Sequence, residues 1–395
     1  MGRDRLRIMV CPHELAMGGS QMNAIELAAQ AQRDGHQVVV FAPEGPLSQH
    51  VAQLGLEQVI SPVATRLSLR WMRELGQLAT RWNADVVHTY EWAPSMAAAY
   101  RLFPLRDVRL VMTVLSMDIP DFLPRNVPMI VGTEQLRREA TGRSAPVLLM
   151  EPPIDTDLNS LAALGSRGAS FRSAPDELLL SMVCRMTDEL DKAAGVIQAI
   201  AAVERLAAKY RLRLVVAGDG DAMERVRSAA DSANHRLERE AVLLLGDMPD
   251  PREVYGQCDI SLGMGSSALK ALSFGKPLIV QGAAGFWKAL DEQSLPQFQV
   301  QGFYGEGGDG VAALIAGLEP LCADETLREN LGSWGRNLAE ERYSLHRAAQ
   351  RLEANYRQCL RTAPSTAQGL LGLTRSSFDY AKFLAARRLS AWSAS

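Results

Sequence analysis

The stretch Cys258-Asp-Ile-Ser-Leu-Gly-Met-Gly-Ser-Ser-Ala-Leu-Lys270 runs from a short apolar segment through a glycine turn into a helix-forming segment. Glycine lets the backbone pass close to a ligand, and the unpaired N–H groups at the start of a helix attract phosphate. The turn from Gly263 to Ser267 is therefore a candidate diphosphate site. The same pattern also forms tight strand-to-helix turns that bind nothing, so a purely structural role for this turn is the alternative.

Short apolar runs alternate with longer segments of helical periodicity on both sides of this turn. This alternation is typical of a parallel sheet with crossover helices. The predicted fold class is therefore α/β, with two Rossmann-like doubly wound domains facing a central cleft. The apolar runs are Arg7 to Cys11, Gln37 to Ala42, Asp85 to His88, Leu110 to Leu115 and Met129 to Gly132 in the first half, and Leu178 to Cys184, Arg213 to Ala217, Val242 to Leu245 and Pro277 to Gln281 in the second.

A stretch between the two halves, Asp155 to Glu177, carries Asn, Ser, Gly and Pro without a strong period and is predicted to be a linker. The predicted first domain spans residues 1–155. The predicted second domain spans residues 156–375, and a last helix over 376–395 returns to the first domain.

Composition excludes several classes of protein. The 42 basic and 45 acidic residues give a net charge of -3, which offers no broad attraction for nucleic acid. Five scattered cysteines without a C-x-x-C pair indicate neither a disulfide framework nor a zinc site, so no metal is expected. The start of the chain is typical of a first strand rather than of a signal peptide, and no stretch approaches about 20 uncharged apolar residues. A cytoplasmic protein without a transmembrane segment is predicted.

Further candidate residues lie at other predicted strand ends. Gly18 and Gly19 leave the start of the first helix open, as the glycine turn does in the second half. Arg185 follows the first strand of the second half, and Lys192 begins the next helix. Open α/β sheets bind ligands at the carboxyl ends of their strands, so these two cations are placed to meet an anionic ligand.

A series of motifs follows in order from residue 7 to about residue 282. They are Met17-Gly-Gly-Ser-Gln21, Gly35-His-Gln-Val38, Asp85-Val-Val-His88, Pro152-Pro-Ile-Asp-Thr-Asp157, Arg185 with Lys192, Gly218-Asp-Gly220, Tyr255 with Cys258-Asp259, and Ala271-Leu-Ser-Phe-Gly-Lys-Pro277. In this order the chain resembles the GT-B retaining glycosyltransferases of family 4, also called group 1.

The resemblance implies transfer of a sugar, with retention, from a nucleotide-diphosphate sugar to a small-molecule, lipid or glycan acceptor, without a metal or a cofactor. Arg185 and Lys192 would neutralise the donor diphosphate, and His88 would face the sugar or the acceptor. The residues expected to bind the donor are Gly18, Gly19, Gly218, Gly263, Met264, Gly265, Ser266, Ser267 and Lys270. The residues expected on the acceptor side are His13, Ser116 and Asp118.

The chain departs from the family pattern at three positions. Leu262 and Lys270 stand where the family has two glutamates, and neither side chain can accept a hydrogen bond from a ribose hydroxyl. Leu115 stands where the family commonly has a histidine near the transferred sugar.

These departures leave two alternatives open. The first is a noncatalytic relative that has kept the fold as a binding or partner subunit. The second is a nicotinamide-dependent oxidoreductase, which rests on the G-x-G-x-x-A pattern from Gly263 to Ala268 and lacks the acidic residue expected at the end of the following strand, near Gln281. The oligomeric state is also open, and the sequence allows a homodimer.

Overall fold

The computed structural model describes residues 5–62, 68–103, 105, 107–116, 118–165, 170–362 and 366–393, with side chains in the last range up to residue 386. The chain forms two compact units. Unit 1 contains Met1–Pro152 and Leu345–Ser395, and unit 2 contains Pro153–Ser344.

Unit 1 is built on a parallel sheet of seven strands. Its elements before the unit boundary are β1 (Arg7–Cys11), α1 (Gly19–Arg33), β2 (Gln37–Ala42), α2 (Ser48–Gln53), β3 (Glu57–Ile60), α3 (Leu69–Arg81), β4 (Val86–Tyr90), α4 (Trp92–Leu102), β5 (Arg109–Val114), β6 (Met129–Val131), α5 (Glu134–Glu139) and β7 (Val147–Leu149). The strand order is β3-β2-β1-β4-β5-β6-β7, and all neighbours run parallel. The order reverses between β1 and β4.

Unit 2 is built on a second sheet, of six strands. Its elements are β8 (Leu178–Val183), a 3-10 turn (Glu189–Asp191), α6 (Lys192–Leu206), β9 (Leu212–Ala217), α7 (Met223–Leu237), β10 (Val242–Leu244), α8 (Arg252–Gln257), β11 (Ile260–Gly263), α9 (Gly265–Ser273), β12 (Leu278–Gln281), β13 (Trp287–Ala289), α10 (Leu295–Gln301), α11 (Val311–Ala323) and α12 (Glu325–Arg342). The strand order is β10-β9-β8-β11-β12-β13, and only β13 runs antiparallel to its neighbour. The predicted pair of doubly wound α/β domains is confirmed.

Both sheets are buried on their two faces. In unit 2, α6, α7 and α11 pack on one face of the sheet, with Leu180, Val196 and Leu214 in that core. On the other face lie α9 and α12, with Leu269 and Val280 in a separate core. Strands covered on both sides consist of nearly continuous apolar residues, which explains why the central strands of each sheet are visible in the sequence.

The last two helices belong to unit 1. They are α13 (Leu345–Arg361) and α14 (Thr366–Ser393). One face of α13 buries Leu345, Leu352 and Tyr356 in the same core as Leu27 and Ile25 of α1. The chain therefore returns to unit 1 at Leu345, earlier than the predicted residue 376, because the apolar face of α13 matches that of α1.

The boundary before unit 2 also differs from the prediction. Unit 2 begins at Pro153 instead of residue 156, since the Ile154 amide donates to the Tyr343 carbonyl at 2.8 Å. The start of the predicted linker packs on unit 2, where Thr156 and Asn159 are buried. Ser273 Oγ of α9 donates to the Asn159 carbonyl at 2.6 Å. Residues 166–169 of this stretch lie outside the described residues. Within the described part of the chain, no helix combines the length and apolar character needed to cross a bilayer.

Candidate functional site

The switch point of unit 2 lies between β8 and β11, where the strand order changes direction. Arg185 follows β8 after one intervening residue, and Gly265 follows β11 in the same way. Open α/β sheets form a crevice at this place, outside the carboxyl ends of the strands. The two predicted phosphate-binding segments therefore follow the carboxyl ends of two neighbouring strands.

The glycine turn after β11 leaves the N-terminus of α9 accessible to solvent. Gly265 has φ 56°, and a Cβ atom there would meet nothing within 4 Å, so this backbone can be approached closely. Its own N–H donates to the Phe303 carbonyl at 2.7 Å and is not available to a ligand. The next N–H group, that of the exposed residue Ser266, has no hydrogen-bond partner among the residues that the structure describes.

Three neighbours of Gly265 have roles within the fold. The Met264 side chain is buried, so its predicted donor contact, which stays a prediction, would use its backbone. A Cβ atom at Gly263 would lie 2.9 Å from Ser267 Oγ, so the missing side chain leaves room for that hydroxyl. Ser267 Oγ accepts a hydrogen bond from the Tyr255 hydroxyl at 3.0 Å. The part of this turn that a ligand can approach is therefore the Ser266 N–H group, beside the open Cβ position of Gly265.

The two predicted cations share one carboxylate. Arg185 donates to Glu189 Oε2 at 3.2 Å, and Lys192 Nζ lies 3.6 Å from the same oxygen. Arg185 is 57% exposed and Glu189 60% exposed, and exposed ion pairs of this kind contribute little stability. The pair of cations around Glu189 is thus held by weak, exposed ion pairs.

Lys192 also lies close to the end of β8. Burial raises the pKa of the Cys184 thiol to about 12, and the positive charge of Lys192 opposes that shift. The thiol is therefore protonated at neutral pH, which is consistent with a packing role for Cys184. Lys192 itself is only 14% exposed, so its ammonium group is held near the sheet edge.

An unusual turn fixes the start of α6. Leu190 and Asp191 both have left-handed backbone conformations, with φ 56° and 54°. Gln281 Nε2 donates to the Asp191 carbonyl at 3.0 Å, and Asp191 Oδ2 accepts from the Ala284 amide at 2.8 Å. Gln281, at the end of β12, is thus a positioning residue for Lys192 that the sequence alone did not indicate.

Gly218, a predicted donor-binding residue, has a structural role, and its donor contact stays a prediction. It follows β9 with φ 128°, and a Cβ atom there would lie 1.9 Å from the Cys184 carbonyl oxygen. Gly220 likewise leaves room for the Met186 carbonyl, which a Cβ atom would approach to 2.4 Å. The two glycines let the chain after β8 pass close to the end of β9, and this passage sets the position of Arg185.

His88, a predicted catalytic residue in β4 of unit 1, is buried and fully hydrogen-bonded. Its Nδ1 lies 2.6 Å from the Tyr356 hydroxyl, and its Nε2 lies 2.7 Å from Thr113 Oγ1. Burial lowers the pKa of His88 to about 3. The predicted contact with sugar or acceptor is therefore wrong, and His88 is a neutral core residue that joins β4, β5 and α13.

We expect this histidine to make stability depend on pH. Between pH 6.5 and about 3 the unfolded chain binds a proton at His88 that the folded chain does not, so the free energy of unfolding falls as the pH falls. The contribution is about 1.4 kcal/mol per pH unit. His88→Gln can still donate and accept hydrogen bonds but lacks this titration. Urea unfolding of both proteins at pH 7, 6 and 5 should show the free energy of unfolding of the wild type, relative to that of His88→Gln, falling by about half that amount between pH 7 and 6, where the unfolded histidine is only partly protonated, and by nearly all of it between pH 6 and 5. Parallel pH profiles of the two proteins would contradict this.

The remaining predicted residues lie in the loops at the carboxyl ends of the strands of unit 1. Gly19 begins α1 with open space around its Cβ position, while the space at Gly18 is filled by the end of the Gln21 side chain, 2.3 Å from a Cβ atom. Gln21 Nε2 donates to Glu14 Oε1 at 3.0 Å and lies 3.2 Å from His13 Nε2. His13 therefore lies beside the first turn of α1.

Ser116 and Asp118 follow β5 at the same edge, and both are exposed. Ser116 Oγ lies within hydrogen-bonding distance of Glu91 Oε2, at 2.9 Å, and of the Asp118 carbonyl, at 3.2 Å. Glu91, which directly follows β4, also accepts a hydrogen bond from Ser20 Oγ at 2.8 Å. No sequence pattern singled out this glutamate. The predicted acceptor side of unit 1 is a set of loops joined by one carboxylate.

Two family models match the chain, and together they cover most of it. The model described as Glycosyltransferase Family 4 matches residues 17–135, and the model described as Glycosyl transferases group 1 matches residues 177–324. The chain belongs to the family 4, group 1, type of GT-B glycosyltransferase. The first match contains the α1 turn and Glu91, and the second contains Arg185, Lys192 and the glycine turn. No curated protein sequence matches the chain.

Solved structures of other proteins share the fold of this one. A glycosyltransferase from Rickettsia africae is 14% identical, with a TM-score of 0.71 over 91% of this chain and 100% of the other. Anabaena HepE in complex with UDP is 16% identical, with a TM-score of 0.68 over 89% of this chain and 100% of the other. HepE in complex with UDP-glucose is 16% identical, with a TM-score of 0.65 over 90% and 100%.

As a family 4 glycosyltransferase, the chain is unusual at the two glutamate positions. Leu262 is fully buried in the core of unit 2, so its side chain cannot reach a nucleotide. Lys270 lies near Asp250: a side-chain hydrogen bond from Arg252 lowers the pKa of Asp250, and the charge of Lys270 adds to this effect. Lys270 thus lies beside an existing ion pair, and its predicted donor contact stays a prediction.

Proposed function

We propose that the protein transfers a sugar from a nucleoside diphosphate sugar to a hydroxyl-bearing acceptor, with retention and without a metal. The single observation that supports this most strongly is the shared contact of Arg185 and Lys192 with Glu189 at the switch point of unit 2. Two cations around one anion, on the sheet edge where the α9 turn opens, form a suitable site for a diphosphate.

In the proposed reaction, negative charge develops on the diphosphate as its bond to the sugar breaks. Arg185 and Lys192 exchange Glu189 for the phosphate oxygens, and the Ser266 amide at the start of α9 adds a hydrogen bond. Preorganised charge of this kind commonly makes the largest protein contribution to rate. Positive side chains here supply the neutralisation that a divalent cation would otherwise provide, which supports a mechanism that does not need one.

Retention is proposed to follow a front-face route, in which the leaving phosphate accepts the acceptor proton. The state of His88 supports this choice, because a buried histidine bonded at both ring nitrogens cannot act as the base. The loops at the carboxyl edge of unit 1, from His13 to Gly19 and from Ser116 to Asp118, are proposed to hold the acceptor.

The test offers the purified protein a mixture of UDP, GDP and dTDP sugars together with a broad acceptor library, followed by mass spectrometry of the products. We expect a sugar adduct of at least one acceptor, with UDP-glucose as the first donor because HepE is bound to it in its complex. A parallel reaction with EDTA should run at the same rate. A rate that falls with EDTA and recovers with Mn²⁺ would contradict the metal-free part of the proposal.

The second candidate is a noncatalytic relative that binds a partner. It is favoured by the buried Leu262 and by Lys270 and Leu115, which replace three polar family positions. Titration calorimetry with UDP, GDP and dTDP separates the two, with ADP as a control nucleotide. A transferase binds at least one of the diphosphates, whereas binding of none, together with no adduct, would leave the partner role.

A further inference from the structure

Glu91 occupies a backbone conformation that side chains other than glycine rarely adopt. It lies between β4 and α4 with φ 67° and ψ 176°. This region of conformational space is nearly restricted to glycine, and another residue held there costs about 1 to 3 kcal/mol. Glycine would adopt this conformation without strain, so the glutamate side chain has a use that outweighs the strain.

The carboxylate of Glu91 joins three strand ends of unit 1. Its Oε1 accepts from Ser20 Oγ at 2.8 Å and from the Leu115 amide at 3.1 Å. Its Oε2 accepts from Ser116 Oγ at 2.9 Å. Ser20 belongs to the first turn of α1, which follows β1, while Leu115 and Ser116 follow β5. Since β4 lies between β1 and β5 in the sheet, Glu91 connects the segments on both of its sides.

The location of this carboxylate is the switch point of unit 1, between β1 and β4. Only 8% of Glu91 is exposed, and among the residues that the structure describes no cation pairs with it. Its charge is therefore stabilised by the hydroxyl and amide donors. Those donors are held in turn, and the first turn of α1 is held with them, next to the open position at Gly19.

We propose that Glu91 is a positioning residue that holds the first turn of α1 and residues 115 and 116 in the arrangement in which unit 1 takes the acceptor. This inference rests on the proposed transfer function. Glu91 would order the loops of unit 1 that hold the acceptor without touching the donor diphosphate. Glu91 acts through Ser20 and Ser116, so its loss should change acceptor use and leave nucleotide binding by unit 2 intact.

The test compares Glu91→Gln and Glu91→Gly with the wild type. Glutamine keeps the size and one acceptor oxygen but presents an NH₂ group to Ser116, and glycine removes all three contacts while relieving the backbone strain, so both variants should fold. With the donor and acceptor pair that gives product in the library experiment, kcat/KM for the acceptor should fall in the order Glu, Gln, Gly. The glycine variant should lose about 10- to 100-fold, while calorimetry gives an unchanged Kd for UDP.

Two further measurements separate positioning from general structural damage. The double variant E91G/S20A should be no worse than E91G, because the contact between Ser20 and Glu91 is already lost in the glycine variant. Hydrogen exchange should quicken in residues 18–22 and 113–116 and stay unchanged elsewhere in unit 1. Glu134→Gln is the matched control, since Glu134 also begins a helix after a strand of this sheet, and it should behave as the wild type.

The outcomes are distinguishable. If the wild type forms no adduct, the proposed function fails. If the wild type is active and both Glu91 variants retain its kcat/KM for the acceptor, the inference about Glu91 alone is overturned. Unchanged exchange in the two segments overturns it regardless of activity, and a raised Kd for UDP in both variants would assign Glu91 to the donor instead.

Discussion

Replacing Arg185 or Lys192 with alanine should lower the rate of sugar transfer by about 100- to 1,000-fold. In each variant only one of the two cations remains beside the departing diphosphate. The missing cation would have stabilised the negative charge that develops on the diphosphate in the transition state. The effect on folding should be small for Arg185, because its recorded ion pair, with Glu189, is exposed. Initial rates of UDP release at saturating donor, together with thermal unfolding, check both statements.

The matched control for these two variants is Arg236→Ala. Arg236 is 60% exposed, lies on α7 of the same unit and pairs with Glu204. The substitution Arg236→Ala removes one positive charge, as the other two do, but at a place away from the switch point. This variant should therefore keep the wild-type rate. Wild-type rates in both Arg185→Ala and Lys192→Ala would show that the diphosphate binds elsewhere.

Gly218→Ala should destabilise unit 2 by about 2 to 6 kcal/mol, the sum of overpacking and of backbone strain at positive φ. The new Cβ atom would lie 1.9 Å from the Cys184 carbonyl oxygen, which is backbone and cannot rotate away. Any relaxation displaces the segment after β8, so the variant should also lose activity through Arg185. Urea unfolding gives the stability, and hydrogen exchange of the β8 and β9 peptides locates the change.

Gly246→Ala is the control for this substitution. Gly246 has φ 69° but nothing within 4 Å of its Cβ position, so alanine there adds backbone strain without a clash. Its cost should be about 1 to 2 kcal/mol, with activity retained. Equal losses in the two alanine variants would show that the close approach of Gly218 to Cys184 is not what matters.

The central strands of both sheets could be predicted from the sequence because they are covered on two faces. The bounds predicted for β1 and β2 are those observed. The edge strand β3 was missed, since none of its four residues is buried and it shows no apolar run. The antiparallel β13 was missed as well, because a three-residue strand carries too little pattern to be recognised.

The candidate site could be predicted only where it depends on local sequence. The glycine turn, Arg185 and Lys192 lie at strand ends that the apolar pattern reveals. His88 and Glu91 could not be assigned in this way. The partner of His88, Tyr356, lies 268 residues away in the chain. The significance of Glu91 comes from a backbone angle and from donors on two other segments of the chain, none of which a single sequence displays.

The most direct test of the account is a crystal structure of the protein with UDP. We expect phosphate oxygens in contact with Arg185 and Lys192 and a hydrogen bond from the Ser266 amide to the same diphosphate. The Glu189 side chain should be turned away from both cations. Phosphates bound on another edge of unit 2, with the Arg185 to Glu189 pair intact, would contradict it.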